Sequence, residues 1–109
     1  MFEAIKRLLK AVWNFIKKIV LKLVSFVRNI VSFFRDPSRL RKLQEDKNKI
    51  AVAIKERLDS GEYQVVNCLY DQSTNDLVTP NEDAVVMSAE ELDAETMSKF
   101  GDKDMMVIK

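Results

Sequence analysis

Few residues in the chain could carry out catalytic chemistry. The sequence of 109 residues contains no histidine and a single cysteine, Cys68. The imidazole general base, the Ser-His-Asp and Cys-His nucleophile pairs and His-ligated metal sites are therefore excluded. A single cysteine cannot form an internal disulfide, which favours a reducing compartment. We expect no catalytic residue and no cofactor, so the sequence predicts a protein that is not an enzyme.

An incomplete calcium-loop pattern begins at Asp71. Asp71, Ser73, Asn75 and Glu82 occupy the first, third, fifth and twelfth positions of the loop template. However, Asp76 stands where the template requires a glycine for its sharp turn, and strand-forming residues flank the loop. An acidic hairpin is the better interpretation, and we expect no metal site.

Positive charge is concentrated in the first 35 residues. They contain eight Lys or Arg side chains against Glu3 alone, which gives +7, whereas residues 36–57 carry +3 and residues 58–109 carry −9. This asymmetry predicts a cationic segment that contacts an anionic partner. The side chains that we assign to anionic-surface contacts are Lys6, Arg7, Lys10, Lys17, Lys18, Lys22 and Arg28.

Apolar residues accompany these cations at helical spacing. No Gly or Pro occurs from Phe2 to Phe34, and the segment contains an eleven-residue repeat. Eleven residues in three turns keep an apolar strip nearly straight along a helix. The pattern predicts one basic amphipathic helix over residues 1–35, about 50 Å long. Its apolar face comprises Phe2, Ile5, Leu9, Val12, Trp13, Phe15, Ile16, Ile19, Val20, Leu23, Phe26, Val27, Ile30, Phe33 and Phe34.

An anionic membrane is the partner that this predicted helix fits best. An in-plane helix holds its Lys and Arg charges at lipid phosphates while its apolar side chains lie beneath them. A transmembrane span is disfavoured, because Lys17, Lys18 and Lys22 would lie near the middle of the bilayer. The uninterrupted apolar core of a signal peptide is missing as well. The sequence therefore predicts a peripheral protein at the cytoplasmic face of a membrane.

Two other functions remain as alternatives. The apolar face could instead form the core of a homo-oligomer, such as a bundle, ring or filament, in which the acidic residues of one copy neutralise the basic segment of another. A membrane-permeabilising protein is a weaker alternative, since cationic amphipathic helices also have this activity. Nucleic acid is not expected as a partner, because a wide apolar face would stay exposed on DNA.

The middle of the chain predicts a second amphipathic helix over residues 36–60. Pro37 suits the first turn of a helix, with Asp36 before it as the N-cap. Leucine and isoleucine then recur at steps of three and four residues until Gly61, which ends the pattern.

The remaining residues, 61–109, predict an acidic module with the order ββαβ. A strand from Tyr63 to Tyr70 precedes a polar turn and a short second strand, and a capping box at Ser88 opens a helix that Gly101 closes. A last strand follows near Met105. The expected fold class is therefore α+β: a long N-terminal amphipathic helix, a second helix after a proline corner, and this module. We expect the module to recruit a protein partner whose identity the sequence does not indicate.

Overall fold

A mixed sheet of six strands forms the centre of the protein, and helices pack on both of its faces. The structure, a computed structural model, describes residues 1–108, so Lys109 of the predicted acidic module lies outside the described residues. The strands are β1 (Lys17–Val24), β2 (Lys49–Arg57), β3 (Tyr63–Asp71), β4 (Asp76–Leu77), β5 (Val85–Leu92) and β6 (Met105–Val107). The helices are α1 (Phe2–Ala11), α2 (Ser32–Phe34), α3 (Pro37–Glu45), α4 (Pro80–Asp83) and α5 (Ala94–Phe100).

The strands lie in the order β1-β5-β3-β2-β6, and β4 pairs with β3. β1 runs parallel to β5, with Ile19 opposite Met87 and Leu21 opposite Ala89. All other strand pairs among residues 1–108 are antiparallel. The N-terminal segment therefore contributes an edge strand to the same sheet that contains the C-terminal strands.

Both faces of the sheet are buried, which explains the nearly continuous apolar runs of its inner strands. Along β3, successive residues enter two different hydrophobic clusters, so Val66 packs with α1 and Val65 packs with the opposite layer. α1 contributes Ile5 and Leu9, which lie one turn apart on its buried face. On the other face, the cluster includes Ile30, Phe34, Leu69, Met87 and Phe100.

The predicted α+β class is confirmed. An N-terminal helix, a second helix that begins at Pro37 and a C-terminal region of strand, helix and strand are all present. Asp36 caps α3 as predicted, since its Oδ2 accepts hydrogen bonds from the backbone amides of Ser38 and Arg39 at 3.2 and 3.3 Å. Gly101, with a φ of 61°, follows α5 in a conformation that favours glycine.

The prediction of one continuous helix over residues 1–35 is wrong. α1 ends at Ala11, a 3₁₀ turn spans Trp13–Phe15, and β1 occupies the middle of the segment before a π-helical turn at Phe26–Val31. β1 contains three β-branched residues, Ile19, Val20 and Val24, and the apolar residues Ile19, Leu21 and Leu23 occupy every second position, a pattern that suits a strand. β5 supplies backbone partners along this length, so the tertiary pairing overrides the helical repeat.

The second predicted helix is also too long. α3 ends at Glu45, and residues 49–57, predicted as helical, form β2. Val52 and Ile54 belong to the cluster on the α1 face, while Ala51 and Ala53 belong to the opposite cluster. β2 lies between β3 and β6 and buries both of its faces, so its apolar residues do not form a single helical stripe.

The capping box at Ser88 does not open a helix. Ser88 lies within β5, which is hydrogen bonded to β1 on one side and to β3 on the other. The helix that follows has Asp93 as its N-cap, because the Asp93 carboxylate accepts from the backbone amide of Thr96 at 2.8 Å. The first two predicted strands and the last one are present, but β5 makes the order of this region ββαβαβ, with the short helix α4 before β5.

Candidate functional site at the edge strand

The fifteen apolar residues assigned to one continuous face are divided by the structure into three groups. Five are buried in the two hydrophobic clusters: Ile5, Leu9, Ile16, Ile30 and Phe34. Six are partly exposed: Phe2, Val12, Trp13, Ile19, Phe26 and Phe33. The four exposed residues are Phe15, Val20, Leu23 and Val27, at 72, 86, 44 and 56% of their full accessibility. The single wide apolar face is therefore a wrong prediction, because the protein's own sheet covers a large part of it.

The seven predicted cations are all exposed. Within residues 1–108, none of the seven forms an ion pair with a carboxylate. Three of them, Lys6, Arg7 and Lys10, lie on α1. The other four lie on β1 and on the π-helical turn after it: Lys17, Lys18, Lys22 and Arg28. The cations are thus separated into a helical group and an edge-strand group.

The edge-strand group and the four exposed apolar residues lie on the same stretch of chain, residues 15–28. We call this stretch the β1 edge surface. β1 pairs with β5 along one side, and no strand within the described part of the chain pairs with its other side. The surface therefore combines exposed apolar side chains, exposed cations and a free backbone edge.

The entry to β1 is held by Lys18. Its Nζ donates to the carbonyl oxygens of Trp13 and Ile16 at 2.5 and 3.2 Å, and it lies 5.3 Å from the centroid of the Trp13 ring. These contacts fix the 3₁₀ turn against the first residues of the strand. Lys18 also places its positive charge beside the indole, a favourable cation–π arrangement.

The exit from β1 is held by Asp93. Its backbone amide donates to the carbonyl of Val24 at 2.9 Å, and its Oδ2 accepts from the amide of Phe26 at 3.1 Å. Burial acts to raise the pKa of Asp93, but the hydrogen bonds from Thr96 and from the Phe26 amide lower it below the ordinary value. A charged Asp93 therefore joins the end of the edge strand to the start of α5.

The turn after β1 is fixed by two hydrogen bonds that both involve Ser25. The Ser25 amide donates to Asn29 Oδ1 at 2.7 Å, and the Arg28 amide donates to Ser25 Oγ at 3.2 Å. The fully buried side chain of Asn67 on β3 donates from Nδ2 to the Asn29 carbonyl at 3.0 Å. Asn67 Oδ1 has no hydrogen-bond partner within the described residues, so this buried amide is retained at some cost to stability. π-helical turns are rare in proteins, and many of those that do occur are found at functional sites.

A cleft of about 410 Å³ lies beside this turn, on the sheet face opposite α1. We call it the Arg39 cleft. Its lining combines apolar residues of the sheet and α2 with polar and charged residues of β1, the turn, α2, α3 and α4. The lining residues are Lys17, Ile19, Arg28, Asn29, Ser32, Phe33, Arg39, Asn81, Glu82, Ala84, Val85 and Met87.

Arg39 is held rigidly in this cleft. Its Nη1 donates to the Phe33 carbonyl at 3.2 Å and its Nη2 donates to the Glu82 carbonyl at 2.8 Å. Its Nε lies 3.3 Å from Oδ1 of Asp83, a buried carboxylate that also pairs with Lys42. The guanidinium carbon lies 3.8 Å from the Phe33 ring centroid. The sequence interpretation missed Arg39, Asp83 and Asn67; a lone Asn within an apolar strand was the available signal for Asn67.

A second cleft, of about 580 Å³, separates the C-terminal half of α1 from the β2–β3 hairpin. Its lining includes two of the predicted cations, Lys6 and Lys10, and the predicted apolar residues Leu9 and Trp13. The other lining residues are Ile54, Glu56, Gln64 and Val66. Arg7 lines neither this cleft nor the Arg39 cleft.

Groups suited to catalysis or metal binding do not converge at these surfaces. Cys68 is buried, and burial raises the pKa of its thiol to about 12, so the reactive thiolate is scarce at neutral pH. The Asp71 carboxylate is bound by its own turn, and a hydrogen bond from the Ser73 hydroxyl lowers its pKa. Residues 1–108 contain no cluster of three or more Asp, Glu or Cys side chains arranged to hold a metal. None of the helices in this range combines the length and apolar character that a bilayer crossing requires.

Comparisons with known proteins leave the site to be interpreted on its own geometry. No protein-family model matches the chain, and searches of curated proteins and of solved structures find no match either.

Proposed function

We propose that the protein is a non-enzymatic peripheral membrane-binding protein that adsorbs to anionic lipid through the β1 edge surface. It would lie at the cytoplasmic face of a membrane, with the acidic residues of the C-terminal region available to a protein partner. The observation that carries this proposal is that four exposed apolar residues and four exposed cations lie together on residues 15–28.

The apolar contribution comes from Phe15, Val20, Leu23 and Val27. Complete burial of a side chain of this size stabilises by about 1.5 to 3 kcal/mol. Partial insertion of all four side chains into the headgroup region would therefore give several kcal/mol. A soluble protein gains no such stabilisation from leaving these side chains in water, and exposed apolar groups that are rimmed by polar residues are typical of interaction surfaces.

The electrostatic contribution comes from Lys17, Lys18, Lys22 and Arg28. Each cation near an anionic leaflet contributes about 1 kcal/mol, and added salt screens this attraction. Because none of the four is paired with a carboxylate within residues 1–108, binding to lipid would not require an existing ion pair to break. The sum supports reversible adsorption rather than insertion across the bilayer.

The proposal is tested by sedimentation with vesicles of phosphatidylcholine, with and without phosphatidylserine. We expect binding to the phosphatidylserine vesicles alone, and we expect Val20→Asp to lower the bound fraction by about tenfold or more, since an aspartate is costly to bury in lipid. Val107→Asp is the matched control, because Val107 is an exposed valine on β6, the opposite edge strand of the sheet.

The two variants carry the same substitution and the same net charge. Equal loss of binding in both would show that bulk charge alone is responsible, and no binding of the unmodified protein at low salt would reject the proposal. Circular dichroism of each variant checks that both remain folded. Ile16, which also belongs to the predicted apolar face, does not suit this test, because it is buried and its substitution by aspartate would unfold the protein.

The free backbone edge of β1 favours homo-oligomer formation as a second candidate. An open edge strand can pair with the same strand of another copy, although lysines on an edge oppose such pairing. If β1 edges pair, the mass measured by light scattering without lipid should rise with protein concentration and with salt, since salt screens repulsion between the lysines. A monomeric mass under all these conditions would exclude this candidate.

A further inference from the structure

We infer that the Arg39 cleft binds a phosphate group, with Lys17 and Arg28 as its charged ligands. This inference deepens the proposed function, because both cations belong to the β1 edge surface and a phosphate group is the headgroup chemistry of an anionic lipid. The inference is based on the charged and polar residues that line the cleft and on the hydrogen bonds that hold its walls in place.

The charge of the cleft favours an anion. Lys17, Arg28 and Arg39 line it, and Glu82 is the one carboxylate residue in its lining. Arg39 is committed to Asp83, but Lys17 and Arg28 make no ion pair within residues 1–108. Two uncommitted cations therefore lie at a concave site, where low-dielectric walls strengthen their field.

Neutral donors complete the site. Ser32, Asn29 and Asn81 line the same cleft, and each has a side chain that can donate a hydrogen bond. Asn29 uses its Oδ1 to accept from the Ser25 amide, so its Nδ2 is left to donate. A phosphate offers three oxygens that accept several hydrogen bonds, whereas a carboxylate offers two. An arginine, a lysine and three neutral donors match the phosphate better.

The walls of the cleft are already in place without a ligand. The Ser25–Asn29 pair and the Asn67 side chain fix the turn that carries Arg28. Arg39 is fixed by two carbonyls and by Asp83. The backbone of the turn and Arg39 would therefore lose little ordering entropy on binding, and the cost of ordering falls on the exposed side chains of Lys17 and Arg28. The volume of about 410 Å³ lies in the range of small-ligand pockets.

Apolar residues at the cleft indicate that the phosphate belongs to an organic ester. Ile19, Val85 and Met87 of the sheet and Phe33 of α2 line it beside the polar groups. The esterified part of the ligand could lie against them. The phosphate can therefore come from a lipid headgroup with a terminal phosphate or from a soluble phosphorylated compound, and the experiment has one arm for each source.

The first arm uses inorganic phosphate alone. At constant ionic strength, phosphate should raise the melting temperature of the full chain, and acetate should not. Arg28→Gln and Lys17→Gln should each weaken the apparent affinity for phosphate by about tenfold, the loss expected for one charged hydrogen-bonding partner. Arg7→Gln is the matched control, because Arg7 is an exposed cation on α1 that does not line the cleft and does not belong to the β1 edge surface. Glu82→Gln should strengthen binding severalfold by removing the opposing charge.

The second arm compares vesicles that contain phosphatidic acid with vesicles that contain phosphatidylserine, at equal surface potential. A preference for phosphatidic acid that Arg28→Gln removes would support the lipid source. Stabilisation by phosphate without such a preference would support a soluble phosphorylated ligand. The inference is overturned if phosphate has no effect, if acetate acts equally, or if Arg28→Gln and Lys17→Gln weaken phosphate binding no more than Arg7→Gln does.

These outcomes separate the inference from the proposed function. Binding to phosphatidylserine vesicles with no response to phosphate would leave the membrane proposal intact and remove the cleft as a phosphate site. A response to phosphate in a protein that binds no vesicles would support the phosphate site and reject the membrane proposal.

Discussion

α1 and β1 come from one basic, apolar segment, yet the fold uses them in opposite ways. α1 lies across a face of the sheet and buries Ile5 and Leu9, with its cations in solvent. β1 lies at the edge of the sheet and leaves Val20 and Leu23 exposed beside its lysines. The difference shows that apolar content does not itself decide burial. A helix on a sheet face meets apolar partners along its length, whereas an edge strand has a neighbour on one side and fewer residues to cover it.

The largest effect should follow from truncating the buried part of this segment. Ile5 and Ile30 are both fully buried, on opposite faces of the sheet. Ile5→Ala or Ile30→Ala should lower the free energy of unfolding by about 2 to 5 kcal/mol, through lost apolar burial and the cavity left behind. Urea titration followed by circular dichroism measures this change. A loss below 1 kcal/mol at both positions would mean that the segment is not part of the core.

A smaller effect should follow from removing the residue that joins β1 to α5. Asp93→Ala takes away the N-cap of α5 and the acceptor of the Phe26 amide, so we expect a loss of about 1 to 2 kcal/mol at neutral pH. Asp71→Ala serves as the control, because the Asp71 carboxylate accepts its hydrogen bonds from Ser73 and Thr74 of the adjoining turn. An equal loss for the two variants would argue against a specific role of Asp93.

The stabilisation by Asp93 should also depend on pH. The folded state lowers the pKa of this carboxyl below its ordinary value of 3.8. The unfolded chain therefore takes up the proton first, and the stabilisation is fully present above pH 3.8 and lost as the pH falls through the folded pKa. Asp93→Asn should flatten this decline in the free energy of unfolding. Asp71 contributes in the same direction, so some decline should remain.

The smallest effect should follow from changing the exposed part of the segment. Val20 is 86% exposed on the outer strand, and Val20→Thr retains a β-branched side chain. We expect the free energy of unfolding to change by less than about 0.5 kcal/mol. A loss of about 2 kcal/mol in the free energy of unfolding, measured by urea titration, would show that Val20 contributes to stability as the buried residues of α1 do.

The C-terminal region was easier to predict from sequence than the N-terminal segment. Strand formers bounded by a polar turn located β3 and β4, and Gly101 located the end of α5. β5 was missed because Ser88-Ala-Glu-Glu91 reads as a helix start in isolation. Its place between β1 and β3 depends on residues far away in the chain.

The candidate site was predicted in part. All seven predicted cations are exposed. Of the fifteen apolar residues predicted to form the surface, only four are exposed, because a helical repeat does not indicate which residues the sheet will bury. The Arg39 cleft was missed altogether. It unites β1, the π-helical turn, α3 and α4, and the local pattern around Arg39 or Asn67 does not indicate which distant groups they contact.

The sequence by itself determined the α+β content, the capped start of α3 at Pro37, the β3–β4 hairpin and the separation of positive from negative charge. These features depend on neighbouring residues, through capping, turn chemistry and composition. The tertiary structure alone decided that residues 17–24 form a strand, which apolar residues stay exposed and where the cleft lies. The segment fits both helical and strand periodicities. It forms a strand because its backbone pairs with β5, which is distant in the sequence.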